Sequence, residues 1–86
     1  MSDLITKDRE NIWHPFSPLK GLPDPKLITH AKDCTLFLED GSTLIDAISS
    51  WWVNPLGHAN KAIADAVYAQ MLKVEHVIFA GFTHLV

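Results

Sequence analysis

The sequence predicts an α/β chain: a short helix, a proline-rich arm, a three-stranded antiparallel meander and one amphipathic helix. Three observations carry this. An Asp40-Gly41 pair lies between two β-prone runs, a strong short-range hairpin signal. Behind Asn60, the apolar residues Ile63, Ala66, Val67, Met71 and Val74 recur at helical spacing. Between residues 15 and 25 stand four prolines, Pro15, Pro18, Pro23 and Pro25, with Gly21 among them, a density that excludes regular structure.

The first element is a helix predicted over Thr6 to Trp13. Thr6 suits its N-cap, Asp8 its first turn, and His14-Pro15 its end, because the residue before a proline avoids the α region. Residues 16–26 form an ordered or draped arm, with a plain linker equally open on composition. The strands follow at Leu27 to Ala31, Thr35 to Glu39 and Thr43 to Asp46, with turns at Lys32-Asp33 and Asp40-Gly41. Leu36 and Leu38 share one face and Phe37 takes the other. Asn60 caps a helix predicted to reach Val74 or Glu75, with Asp65, Gln70 and Lys73 off its apolar stripe. The tail from His76 to Val86 is apolar and has no stop signal. This divides the chain into 1–26, helix and arm; 27–59, meander and Trp-Trp turn; and 60–86, helix and tail.

Composition narrows the function classes. At 86 residues, 48% apolar and 20% charged, the chain is globular, with a modest core. A net charge of −3 without a basic cluster argues against a nucleic-acid partner, which needs a positive footprint. Cys34 is the sole cysteine and fits a reducing compartment. The charged N-terminus has no apolar targeting core, and no apolar run approaches the roughly 20 residues of a membrane span. The expectation is a soluble cytoplasmic protein.

Complete catalytic constellations are missing from the residue pattern. The histidines at 14, 30, 58, 76 and 84 have no partner three to five residues away, and Cys34 has none at zinc-like spacing, so no metal site is expected. The glycines make neither a dinucleotide nor a P-loop pattern, and Ser49-Ser50 lacks a nucleophile-elbow context. Asp40 and Asp46 read as turn and strand-end residues. What stands out is Trp51-Trp52, at the end of a strand and just before the Asn54-Pro55 turn and Gly57. Either one indole packs in a core and its neighbour covers an interface, or an indole walls an apolar substrate pocket. The turn setting favours the second, since binding residues collect on loops.

Four segments taken together, IWHPF (Ile12 to Phe16), DGSTLIDAISSWWVN (Asp40 to Asn54), GHAN (Gly57 to Asn60) and EHVIFAGFTH (Glu75 to His84), resemble the N-terminus of one family. It is the adenosylmethionine-8-amino-7-oxononanoate aminotransferases, or diaminopelargonate synthases, of biotin biosynthesis. These are class III, fold-type I, pyridoxal 5'-phosphate transaminases. The double Trp with the upstream Trp-His-Pro is the specific part; other class III relatives share the Asp-Gly…Asp pattern and usually lack the pair.

The resemblance implies an amino transfer from S-adenosylmethionine, or lysine in some relatives, through the cofactor to 8-amino-7-oxononanoate, giving 7,8-diaminononanoate. It implies a homodimer. It also implies substrate-binding roles for Trp51, for Trp52 beside it, and for Phe16, where the family usually has a Tyr that touches substrate and stacks on the donor's adenine. Phe keeps the ring and loses the hydroxyl. Where the family continues with Glu-Pro after Phe-Thr-His, this chain has Leu85-Val86. In relatives the cofactor's lysine, the carboxylate on its ring nitrogen and its phosphate loop lie beyond that point. The expectation is an N-terminal segment of the small domain, the large cofactor-binding domain absent, with no catalytic residue and one wall of the pocket. The rival reading is a non-enzymatic partner-binding module or remnant.

Overall fold

The computed structural model describes residues 2–85; Met1 and Val86, the last residue of the predicted tail, lie outside the described residues. Helix α1 spans Ser2–Asn11, so it starts before Thr6, which lies inside the helix instead of capping it. An exposed ion pair accompanies the earlier start. Asp3 occupies the first turn and Lys7 Nζ reaches its carboxylate at 2.7 Å, an i,i+4 pair in the favourable order for the helix dipole. At the other end Asn11 Nδ2 donates to the Lys7 carbonyl at 2.8 Å, ending α1 before Ile12 and Trp13. The arm is draped, as its prolines suggest. It is held by Arg9 pairing with Asp24, by His14 Nε2 on Asp8 Oδ2 at 2.7 Å, and by Trp13 Nε1 donating to the Ser17 carbonyl at 3.1 Å.

The meander is present, with strands β1 (Ile28–Lys32), β2 (Thr35–Leu38) and β3 (Thr43–Ile45) in the order β1-β2-β3, all antiparallel. Each strand differs by about a residue from its predicted bounds. Lys32 pairs with Thr35, so the first turn is Asp33-Cys34, one residue later than Lys32-Asp33. Asp33 has φ 51° there, a left-handed conformation Asp tolerates better than Lys. The second turn is a three-residue loop, Glu39-Asp40-Gly41, closed by Leu38 N–H on the Ser42 carbonyl at 2.9 Å and Gly41 N–H on the Leu38 carbonyl at 3.1 Å. Gly41 takes φ 85°, as the left-handed position of such a hairpin demands. Asp40 receives the Ser42 N–H at 2.8 Å and the Ser42 hydroxyl, which lowers its pKa.

An irregularity between Ile28 and His30 leaves Thr29 without a Cα partner and sets His30 opposite Phe37. The two rings stack at 4.3 Å, and Thr29 Oγ1 donates to the Phe37 carbonyl at 3.1 Å. On the other face the register aligns Ile28 with Leu38, and Ala31 with Leu36 and Leu44, an apolar layer.

Helix α2 is a single turn, Ser49–Trp52, and helix α3 spans Lys61–Met71. Asn60 caps α3 as predicted, its side chain accepting the Ile63 N–H at 3.1 Å. The helix ends at Met71, earlier than predicted. Gln70 Nε2 donates to the Val74 carbonyl at 3.0 Å, so Val74 lies past the helix instead of on its stripe.

Among the described residues no apolar side chain is buried, and the helix backbones keep apart from the sheet and from one another. The accessible surface is 7594 Å², against about 5,100 Å² for a compact monomer of this mass. The radius of gyration is 17.7 Å, against about 12 Å for a closed domain of this length. The molecule is a set of well-formed elements with their apolar faces open. No helix among the described residues is long and apolar enough to cross a membrane.

Candidate functional site

The Ser-Ser-Trp-Trp turn is left-handed throughout. Ser49, Ser50, Trp51 and Trp52 have φ of 51°, 46°, 69° and 74°, and ψ is 51° at Ser50 and 48° at Trp51. For residues with a side chain this conformation costs on the order of 1–2 kcal/mol each. Runs of it are unusual, since single Gly, Asn or Asp residues normally supply it. The turn keeps its own backbone bonds, Trp52 N–H to the Ile48 carbonyl and Val53 N–H to the Ser49 carbonyl, both 2.9 Å.

This geometry disposes the two indoles. Successive residues of a helical turn project about 100° apart, not to opposite faces as on a strand. Trp51 lies on Phe16 with ring centroids 5.2 Å apart and planes 5° from parallel. Phe16 is itself left-handed, with φ 54°, so both ends of the stack carry backbone strain of the kind that collects at functional sites. The rings are open to solvent, Phe16 90% and Trp51 65% exposed, and offer an aromatic wall. Trp52 is not part of it: 87% exposed, it borders a separate hollow with Ala47, Ile48 and Pro55.

Behind the turn lies a polar cluster that spacing alone did not reveal. The Asp46 carboxylate, 6% exposed, accepts the Ser50 N–H at 2.9 Å, the Ser50 hydroxyl at 2.6 Å and His58 Nε2–H at 2.6 Å. These bonds, from Ser50 first and His58 next, hold its carboxyl well below the usual carboxylate range. Both acid and histidine are anchored to the β1–β2 hairpin tip. Asp46 N–H donates to the Cys34 carbonyl at 2.7 Å, and His58 exchanges two backbone hydrogen bonds with Asp33 at 3.1 and 2.8 Å. Gly57 allows that approach: with φ 87°, a Cβ on it would stand 3.0 Å from Asp33 Cα.

Asp46 reads from sequence as a strand-end residue and His58 as a histidine without a partner at metal-ligand spacing, because a four-residue Asp-to-Ser spacing carries meaning only once the turn's handedness is known. The trio is not a hydrolytic one. Ser50 donates to the acid, and His58 Nε2, 3.4 Å from Ser50 Oγ, already donates to the same carboxylate, leaving no base for the hydroxyl. Among the described residues no three His, Cys, Asp or Glu side chains gather as a metal site.

Comparison with known proteins matches this chain to one family. The model of the class-III aminotransferases covers residues 20–86. The adenosylmethionine-8-amino-7-oxononanoate aminotransferase of Synechococcus elongatus is 50% identical over 74 residues, 86% of this chain and 18% of that protein. The Saccharomyces cerevisiae protein of that name is 36% identical over 88 residues, 98% of this chain and 18% of that protein. The crystal structure of the Methanocaldococcus jannaschii protein of that name aligns with a TM-score of 0.87 at 30% identity, over 98% of this chain and 20% of that one. The chain therefore spans about one fifth of the length of these relatives. In sequence motif and in fold, this chain belongs to the class-III aminotransferase family.

Proposed function

We propose that this chain forms a substrate-side wall of a biotin-pathway transaminase that moves an amino group from S-adenosylmethionine to 8-amino-7-oxononanoate. The observation that carries the proposal is the Phe16–Trp51 stack. Two aromatic residues 35 positions apart meet face to face on strained backbone. An exposed aromatic wall suits both partners of this reaction. It removes water from the aliphatic chain of the amino-keto acid, and it offers a π-face to the donor's adenine. With Phe at position 16 the wall holds its ligands by stacking and apolar contact, without a hydroxyl. Trp52 is assigned to the pocket by the family resemblance alone, its ring bordering a separate hollow in this chain.

Pyridoxal 5'-phosphate is the cofactor that family membership implies for the whole enzyme. Several of the groups that could hold it are already paired. Lys7, Lys32 and Lys61 face Asp3, Asp33 and Asp65, and the least exposed of the ion-paired carboxylates, Asp46, is taken by Ser50 and His58. In this reading residues 1–86 supply binding and exclusion of water, and the chemistry is done elsewhere in a cytoplasmic homodimer. A free Cys34 and the open apolar faces support that setting.

The test is a chimera in which this chain replaces the matching fifth of the Synechococcus elongatus relative. It is expected to form 7,8-diaminononanoate, and Trp51→Ala is expected to raise KM for 8-amino-7-oxononanoate about ten-fold or more, from loss of a buried aromatic contact. A chimera that loads cofactor yet shows the same KM with Trp51→Ala overturns the pocket-wall reading.

A further inference from the structure

Four consecutive left-handed residues without a glycine among them need a device to hold them. The turn's own backbone bonds, including a third from Asn54 N–H to the Ser49 carbonyl at 3.1 Å, are of a kind that a right-handed turn also makes, so they do not select the hand. The Asp46 carboxylate reaches Ser50 at both its N–H and its hydroxyl, which fixes where the second residue of the turn sits relative to the end of β3. A carboxylate accepting N–H and O–H donors makes shorter and stronger bonds than a neutral acceptor, and at 6% exposure water competes poorly for it. His58 closes the far side of the carboxylate at 2.6 Å, and its backbone is tied to Asp33. The cluster thus joins the hairpin tip, the end of β3 and the residue preceding Trp51.

We propose that Asp46 and His58 are positioning residues. Their clasp on Ser50 holds the Ser49–Trp52 turn in its left-handed form and so lays Trp51 on Phe16. What this does for substrate binding rests on the pocket-wall reading above; the clasp itself stands on geometry alone. A right-handed turn at the same place would reverse the direction in which residue 51 leaves the backbone, and the stack with Phe16 could not form. The clasp also explains why serine stands before the first tryptophan: glycine would take the conformation at no steric cost, but only a hydroxyl gives the carboxylate a second donor at the same residue.

The experiment uses the 86-residue chain without substrate, and reads the upfield ring-current shift of the Phe16 ring protons by NMR against a Trp51→Ala reference. Asp46→Asn keeps the shape and removes the charge; it is expected to lose most of that shift while the Leu36–Leu44 cross-strand contacts stay. Adding Ser50→Gly to that variant is expected to restore most of the shift, because glycine takes the left-handed conformation without help. His58→Gln, whose amide can stand near the Nε2 position, is expected to keep the shift, and His58→Ala to reduce it. The proposal is overturned by an unchanged shift in Asp46→Asn, by no recovery with Ser50→Gly, or by a wild-type chain with no upfield shift. None of these readings involves substrate, so failure of the clasp and failure of the pocket wall are told apart.

Discussion

The clasp around Asp46 and the stripe on α3 are opposite kinds of structure in one short chain. At the clasp the polar groups find partners within a segment of 26 residues: Asp46 with Ser50 and His58, and Asp33 with His58. On α3 the apolar side chains Ile63, Val67 and Met71 find none, and remain 48%, 52% and 58% exposed. Hydrogen bonds are short-ranged and directional, so a local segment can complete them by itself. Apolar burial needs area from a second surface, and among the described residues the helix backbones do not pack on the sheet or on one another. The site's geometry is therefore written locally, and its stability is not.

Replacing Val67 by Asp should break this contrast most strongly. The isolated chain is expected to self-associate through the α3 stripe and the exposed Ile78, Phe79 and Phe82. Burial of one such valine is worth roughly 1.5–3 kcal/mol, so Val67→Asp should weaken self-association by about ten-fold or more. Sedimentation across a concentration series measures it. Association as tight as in the unsubstituted chain would mean that the stripe is not the sticky surface. A shift in the His58 amide signal would mean that the two regions are not independent.

The same division governs what the sequence disclosed. The hairpin at Asp40-Gly41, the Asn60 cap and the stripe of α3 were legible because each follows from a rule acting over a few residues. The first turn was displaced to Asp33-Cys34 because the irregularity at Thr29 resets the register, which no local pattern announces. The start of α1 lies before Thr6, where Asp3 suits the first turn and pairs with Lys7. At the site, Trp51 was reached through a resemblance to a family, and Phe16 as the position where that family usually has a Tyr; the structure brings the two rings together. Asp46, Ser50 and His58 escaped notice because their meeting depends on the handedness of a turn, and serine and tryptophan do not favour the left hand.

A second and smaller effect sharpens the polar side of the comparison. Asp46 has its carboxyl lowered from an ordinary 3.8 by Ser50 and then His58. A group whose folded pKa lies below its unfolded one adds stability above the unfolded value and loses it as pH falls through the folded value. The Phe16–Trp51 stack should therefore stand unchanged from neutral pH down to 3.8 and melt only below it. Asp40, lowered by Ser42, loses its turn contacts in the same acid range, so a global signal would mix the two. The Phe16 ring shift is local to the stack and separates them. Loss of that shift above 3.8 would show that the carboxylate is not what holds the turn.

The smallest effect is expected at the boundary between the regions. Asn60 stands two residues after His58, and its side chain accepts the Ile63 N–H, satisfying one of the open donors at the start of α3. Asn60→Ala should cost about 1 kcal/mol of helix stability. This is visible as faster amide exchange at Ile63 and through the first turn. Yet the His58 backbone is held by Asp33, not by the helix. Exchange at the Asp33 and His58 amides should then stay as it was. If those amides loosen together with Ile63, the clasp borrows its rigidity from α3, and the left-handed turn is a consequence of how the helix starts. If they do not, residues 33–58 hold Trp51's side of the aromatic wall in place by their own hydrogen bonds, whatever becomes of the apolar face beside it.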